Sequence, residues 1–339
     1  MNRWFRAGLT FCALGLFSVC LALEPPDEEN PNEVRPTGIP HRQQAKSKSA
    51  ATAKSDADAD SSATPRPRRT HRAAAKSGAD DDAIPTQTVP GSVPSRIGAS
   101  SVIVIDVQSG RVLYEKNPDQ IRAPASTTKL LTGLIVAETG NLDRPVTVAQ
   151  VDTLAEPVKL NIKPGDIYQR IDLLRALLVK SPNDVARCVA RDNAGSIEAF
   201  AVRMNQRAAA IGATHSHFVN PNGLPDARQY STARDLAAIA RVAYANPTIR
   251  SIVCLPQLMF RYANGRTREL ENTNKLLKRL PYCNGMKTGY TEAAGKCLIA
   301  SGSRPGKDII VVVLGDSHSG VWRDAGNLLA WALWSPSAG

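Results

Sequence analysis

The chain has 339 residues, 42% hydrophobic and 22% charged, with a net excess of 11 positive charges. That is enough for one large folded domain or two ordinary ones, and too apolar for a wholly disordered chain. Residues 96–339 hold 30 Lys and Arg against 20 Asp and Glu, whereas residues 24–95 hold 10 against 11, so the excess lies in the C-terminal part. No arginine-rich helix interleaved with aromatic residues occurs, which argues against nucleic-acid binding; the charge suits an anionic substrate or an anionic wall.

The N-terminus, MNRWFRAGLTFCALGLFSVCLALE, starts with Arg3 and Arg6 and runs apolar and uncharged from Leu9 to Leu23. A run of about 15 residues suits a signal peptide over 1–23 and is short for a membrane span, which needs about 20. No clean small-x-small site ends it, so an uncleaved anchor stays open. Val19, just before Cys20, argues against a lipoprotein. Residues 24–95 are rich in Ala, Ser, Pro, Asp, Lys and Arg without an apolar period. Such a segment cannot bury enough surface to offset its ordering entropy, and a disordered low-complexity linker is expected. Its basic centre, PRPRRTHR, reads as a charged spacer, or else as a contact to nucleic acid, acidic lipid or an anionic wall.

The folded part is expected over 96–339. SSVIVIDVQSGRVLYEKN, residues 100–117, is β-branched around Ser109-Gly110 and predicts a hairpin. A helix follows from about Ser126 to Thr139, then helices over 171–180, over NDVARCVARD, over SIEAFAVRMNQRAAAIG with Gly212 as its stop, and from Thr232 to Tyr244. QLMFRYANGRTRELEN predicts a hairpin turning at Asn264-Gly265, the stretch 284–317 predicts further strands, and Arg323 to Trp334 predicts a closing helix. Strands at both chain ends with helices between them predict an α+β fold with one sheet built from the two ends, not a doubly wound parallel sheet. Cys188, Cys254, Cys283 and Cys297 show no CxxC spacing, so no metal site is expected; buried free thiols or a Cys254–Cys283 bridge both fit.

Of all the serines, only Ser126 has a lysine three positions on, Lys129. Residues three apart share one helix face, so hydroxyl and amine point to one place. A helix N-terminus favours charge developing on oxygen. Burial beside Leu130 and Leu131 would lower the lysine pKa and free its amine to act as a base; a fall from about 10.4 to near 7 takes about 4–5 kcal/mol of environment. Lys287-Thr288-Gly289, on a predicted strand, brings a second cation, a glycine that lets a ligand approach the backbone, and the N–H of Tyr290 as an oxyanion donor. Ser181-Pro182-Asn183 offers a hydroxyl and an amide from a loop between helices. Proline at 182 is expected to push Ser181 toward an extended conformation. Asn222, Gly223 and Pro225 read as turn formers, His215 and His217 as structural, and Asp184 and Asp235 as helix-start residues.

S-x-x-K, S-x-N and K-T-G stand in that order, about 55 and 105 residues apart. Together they resemble the penicillin-interacting serine enzymes. FVNPNGLPDARQYSTARDLAAIA, ENTNKLL and KTGYTEAAGKCLIASGSRPGKDIIVVVLG resemble one branch of these, the D-alanyl-D-alanine carboxypeptidases of serine peptidase family S11, over roughly 96–335. The resemblance implies a five-stranded antiparallel sheet flanked by helices, a helical subdomain, and the serine between them. It implies that Ser126 attacks the carbonyl between two D-alanines of a peptidoglycan stem peptide while Lys129 takes its proton. The N–H groups of Ser126 and Tyr290 would hold the oxyanion beside Gly289. Ser181 and Lys287 would relay a proton to the leaving amine, and Asn183 would hold the peptide backbone. Thr288 would contact the terminal carboxylate, and Arg323 matches by position an arginine that does so in relatives. β-Lactam antibiotics are implied as covalent inhibitors, no cofactor is implied, and an exported, periplasmic or envelope-associated location is expected through the signal or anchor and the basic linker. The extra β domain and amphipathic tail of some relatives are expected to be absent. A β-lactamase is the nearest rival, but no E-x-x-L-N segment precedes MKTG. A D,D-endopeptidase stays open, and a non-catalytic wall-binding protein fits poorly because all three motifs are intact.

Overall fold

The computed structural model describes residues 92–155 and 157–335. The expected signal peptide over 1–23 and the expected linker as far as residue 91 lie outside the described residues. Near the linker's end, Val93 packs against an apolar cluster of the domain.

The first hairpin pairs β1, Ser101–Asp106, with β2, Val112–Lys116. Successive side chains of a strand point to opposite faces. In β1, Ile103 and Ile105 join one apolar cluster while Val102 and Val104 join another. The strand is therefore covered on both sides, which explains its unbroken apolar sequence.

The chain then builds the helical part: α1 (Lys129–Thr139), α2 (Arg170–Val179), α3 (Asn183–Ala194), α4 (Ile197–Ile211), α5 (Ala233–Ala245) and α6 (Pro247–Val253). Ser196, Thr232 and Asn246 cap α4, α5 and α6 by accepting from the N–H of Ala199, Asp235 and Ile249. Two small two-stranded antiparallel sheets accompany this part, β3 (Pro145–Thr147) with β4 (Ile167–Gln169), and β5 (Gln257–Arg261) with β6 (Thr267–Glu271). A single turn, α7 (Leu276–Arg279), leads into β7 (Cys283–Thr291), β8 (Gly295–Arg304) and β9 (Lys307–Asp316), and α8 (Gly320–Trp334) follows.

The main sheet has the order β2-β1-β9-β8-β7, and every neighbouring pair is antiparallel. The two chain ends thus share one sheet, as the order of predicted elements implied. In β9, Ile309, Val311 and Val313 pack in the cluster of α8, while Ile310, Val312 and Leu314 pack in the cluster of α1 and α5. Burying each of Leu328, Leu329 and Leu333 stabilises α8 by about 1.5–3 kcal/mol relative to exposure. That packing holds a helix whose N-cap residue, Ser319, makes no side-chain cap bond. The cysteines Cys188, Cys254, Cys283 and Cys297 are free, with Cys254 exposed and the other three buried. β7 forms one edge of the sheet and lies against the turn that precedes α1. That juxtaposition positions the site.

Candidate active site

Ser126 sits in a 3-10 turn, Ala125–Thr128, that feeds directly into α1. Ala125 has φ 48, a left-handed conformation that a residue with a Cβ adopts at a cost. Two glycines hold the turn. A Cβ on Gly223 would lie 1.7 Å from the Ala125 carbonyl oxygen, and one on Gly289 would lie 2.9 Å from the Ser126 nitrogen. The 220–225 loop and the edge strand β7 therefore clamp the serine's backbone from two sides, and only glycine fits at either contact.

Lys129 is fully buried. Its Nζ lies 2.8 Å from Ser126 Oγ, 2.8 Å from Asn183 Oδ1 and 2.7 Å from the Asn222 carbonyl oxygen. Among the described residues no carboxylate is hydrogen-bonded to it. Burial, reinforced by the charge of Lys287 and opposed by that of Asp184, holds its pKa well below the usual lysine range. Asn222, expected only to form a turn, contributes its carbonyl oxygen to the amine and its Nδ2 to the Asn183 carbonyl at 2.8 Å. A backbone acceptor has no side-chain signature, so this role cannot be read from residue identity.

The second hydroxyl–amine pair mirrors the first. Lys287, also fully buried, donates to Ser181 Oγ and to the Thr288 carbonyl, both at 2.9 Å. Burial lowers its pKa to about 7. Ser181 departs from expectation: its φ is 68, not the extended conformation that a following proline favours. Its N–H folds back on the carbonyls of Ala176 and Leu177, closing the end of α2 in a left-handed stop. The demands of the helix end and of the Lys287 bond outweigh the local proline bias.

Ser126, Ser181, Asn183, Thr288, Gly289 and Tyr290 line one cleft of about 690 Å³, with Lys129 and Lys287 bonded to its two serines. Thr288 Oγ1 donates to Thr273 Oγ1 at 2.7 Å on the same wall. The structure does not bring Arg323 into this cleft. α8 begins at Gly320 rather than at Arg323, so Val321 and Trp322 reach the cleft while Arg323 turns to Asp324, 3.0 Å away. Asp184 accepts from the N–H groups of Leu160, Asn161 and Val185, and Asp235 from those of His215 and Ser216's hydroxyl; both do structural work at helix starts. His217 bridges to Tyr230 and, like His215, does not line the cleft.

A serine hydroxyl facing a buried amine, backed by a second hydroxyl–amine pair and bordered by a sheet edge, can run acyl transfer without a metal-activated water. The fold and this arrangement together define the class of active-serine acyl-transfer enzymes that carry a lysine one helical turn after the serine. Residues 87–318 match the family described as D-alanyl-D-alanine carboxypeptidase, peptidase family S11. The D-alanyl-D-alanine carboxypeptidase DacB2 of Mycobacterium tuberculosis is 36% identical over 262 residues, covering 75% of this chain and 88% of that protein. DacF of Bacillus subtilis is 32% identical, and there the match spans only 58% of the relative's length. The crystal structure of a Mycobacterium tuberculosis D-alanyl-D-alanine carboxypeptidase superposes with a TM-score of 0.67 at 35% identity, covering 72% of this chain and 95% of that one. The chain belongs to the D-alanyl-D-alanine carboxypeptidase family of serine peptidases.

Proposed function

We propose that the protein is a serine-type D-Ala-D-Ala carboxypeptidase that removes the terminal D-alanine from peptidoglycan stem peptides through an acyl-enzyme on Ser126. The observation that carries this reading is the 2.8 Å approach of the buried Lys129 amine to Ser126 Oγ, with no carboxylate bonded to that amine. A neutral amine there takes the hydroxyl proton as Oγ adds to the penultimate carbonyl carbon. The backbone N–H groups of Ser126 and Tyr290 stabilise the oxyanion. Lys287 supplies a proton through the Ser181 hydroxyl to the departing nitrogen, the C–N bond breaks, and D-alanine leaves. Water then adds to the ester carbonyl while its proton passes through the Ser181 hydroxyl to the now neutral Lys287, and the Lys129 ammonium returns its proton to Ser126 Oγ as the ester C–O bond breaks. The substrate lies along the edge of β7, whose backbone can pair with an extended peptide, and Asn183 orients that peptide.

β-Lactams present a strained amide to the same serine and would remain as covalent adducts. A signal or anchor at the N-terminus and an envelope location accord with a wall substrate; among the described residues no helix is long and apolar enough to cross a membrane. A second reading, D,D-endopeptidase, is favoured by a second cavity of about 470 Å³ that shares Gly223, Leu224, Pro225 and Thr291 with the cleft and could hold a second strand. A Pseudomonas aeruginosa relative, 32% identical, is named a D-alanyl-D-alanine endopeptidase. Mass spectrometry of products from a pentapeptide stem and from a crosslinked dimer separates the two. Free D-alanine from the pentapeptide, with a penicillin adduct mapping to Ser126, is the expected result. An adduct on Ser181, or none on folded protein, would sink the assignment.

A further inference from the structure

With Arg323 turned away, an anion in the cleft needs another partner; of the three lysines that line it, Lys180 lies near enough to Glu271 to help lower its pKa, and two remain. Lys275 and Lys296 both line the cleft alongside Thr273 and Thr288. The Lys275 ammonium stands 5.8 Å from the Trp322 ring centroid, and the Lys296 ammonium 4.3 Å from that of Tyr290. Lys296 lies directly opposite Tyr290 in the β7–β8 register, so this contact is fixed by strand pairing. Thr288 and Tyr290 alternate with Lys287 and Gly289 along β7, so the two share the face opposite the one on which Gly289 meets the backbone of Ser126.

Neither lysine forms an ion pair among the described residues. The two carboxylates that border the same cleft do not serve them. Glu271 is held by Lys278 at 2.8 Å, and Glu292 is exposed beyond the end of β7. Burial, then the charge of Lys275, lowers the pKa of Lys296, and no carboxylate counters this. The aromatic rings hold the ammonium groups in place without neutralising them. Two cations that repel each other across a cleft wall, each steadied by a ring, are completed by an anion that lies between them.

We infer that Lys275 and Lys296, with Thr288, form the subsite for the terminal carboxylate of the substrate, in the place expected for Arg323. The inference rests on the carboxypeptidase reading, since a D-Ala-D-Ala peptide ends in one carboxylate just beyond the scissile bond. It also accounts for the position of Thr288: the residue next to the catalytic Lys287 turns its hydroxyl to Thr273, on the wall that carries both lysines.

The test compares the full-length protein on a peptide ending in D-Ala-D-Ala and on the same peptide with a C-terminal amide. The wild type should prefer the free acid. In the Lys275→Ala/Lys296→Ala double variant kcat/KM for the free acid should fall by about 10- to 100-fold, while the amide changes by less than about 3-fold, so that the preference collapses. Each single variant should lose about 3- to 10-fold on the free acid, and Lys275→Arg/Lys296→Arg should keep most of the preference, because the charge remains. An unchanged ratio between the two substrates in the double variant, whether both rates fall or neither does, overturns the subsite. A wild type that hydrolyses the peptides without preferring the free acid overturns it too. A wild type that hydrolyses neither peptide overturns the carboxypeptidase reading and the subsite with it.

Discussion

Two pairs of like charges are packed into this domain, and their surroundings treat them in opposite ways. In the cleft, Lys129 and Lys287 are fully buried and bonded only to hydroxyls, an amide and carbonyls. At the corner where β9 meets α8, Asp316 and Asp324 are buried against backbone. Asp324 accepts from the N–H groups of Gly98 and Ala99 and from Arg323. Asp316 accepts from the N–H of Ser317, and its other oxygen is buried without a partner. The charged form is the disfavoured one in both places, so the lysines fall in pKa and Asp316 rises to about 6. The difference lies in what the uncharged form faces. Each lysine presents its amine to a serine hydroxyl at an open cleft and can exchange a proton with it. The aspartates face backbone and one arginine, so their proton can only hold the corner together.

The sharpest way to break this contrast is to remove the proposed base. Lys129→Met should lower the rate of Ser126 acylation by about 10²- to 10⁴-fold, the range for a positioned general base. Stability carries a second signature. A lysine whose folded pKa lies below the unfolded value binds fewer protons in the folded state, so stability from that group rises with pH and is lost as pH falls toward the folded pKa. For Lys287 the window runs from about 10.4 down to about 7. The thermal midpoint of the wild type should therefore gain from this group as pH rises through that window, and Lys287→Met should flatten the gain. Calorimetry at stepped pH reads it. An equal slope in variant and wild type would mean that burial does not lower the Lys287 pKa.

Lys287→Met should also move the acid limb of acylation. The charge of Lys287 is one of the causes that lower the Lys129 pKa. Removing it lets the Lys129 pKa rise, so that a higher pH is needed to free the amine. The rate of penicillin acylation measured against pH should then show its acid limb displaced upward. A limb that stays in place while the amplitude falls would confine Lys287 to the Ser181 relay.

Much of this contrast was legible in the sequence, and the illegible parts share a cause. Ser126 with Lys129 and the Lys287-Thr288-Gly289 run announced themselves because side-chain identity and helical or strand spacing carry the chemistry. The hairpin of β1 and β2, the helices α1 and α5, and one sheet built from the two chain ends followed from periodicity and turn residues, while the number of its strands came with the family resemblance. β3 and β4, three residues each, are too short to show a period. The acceptor role of Asn222 resides in a carbonyl that every residue possesses. The left-handed Ser181 follows from how α2 ends, a demand that local proline bias could not foretell. Arg323 was assigned by its positional match to an arginine of relatives, and such a match does not carry the direction of a side chain, which here turns from the cleft to Asp324. Side-chain chemistry could be read directly; direction set by helix ends and backbone polar groups could not.

The corner pair gives the smallest and most discriminating prediction. Asp316 has a folded pKa of about 6 against about 3.9 unfolded. Between those values the folded state binds more protons than the unfolded one, so the stability from this group is complete below about pH 4 and lost as pH rises through 6. This is the reverse of the usual carboxylate and runs against the lysine trend in the cleft. Asp316→Asn cannot ionise. Its remaining oxygen still accepts from the N–H of Ser317, and its amide can donate toward Asp324, one of the causes of the raised Asp316 pKa. The variant should therefore match the wild type near pH 4 and exceed it at pH 8 by about 1 kcal/mol, allowing for water near the site, or about 2–4 °C in thermal midpoint. Activity should not change, because Asp316 does not line the cleft. A variant less stable than the wild type at both pH values would show that the amide strains the start of α8, where a Cβ on Gly320 would already lie 2.3 Å from Asp316 Oδ1. A variant more stable only at high pH would establish the corner as a carboxylate pair held together by a proton, the structural counterpart of the amines in the cleft.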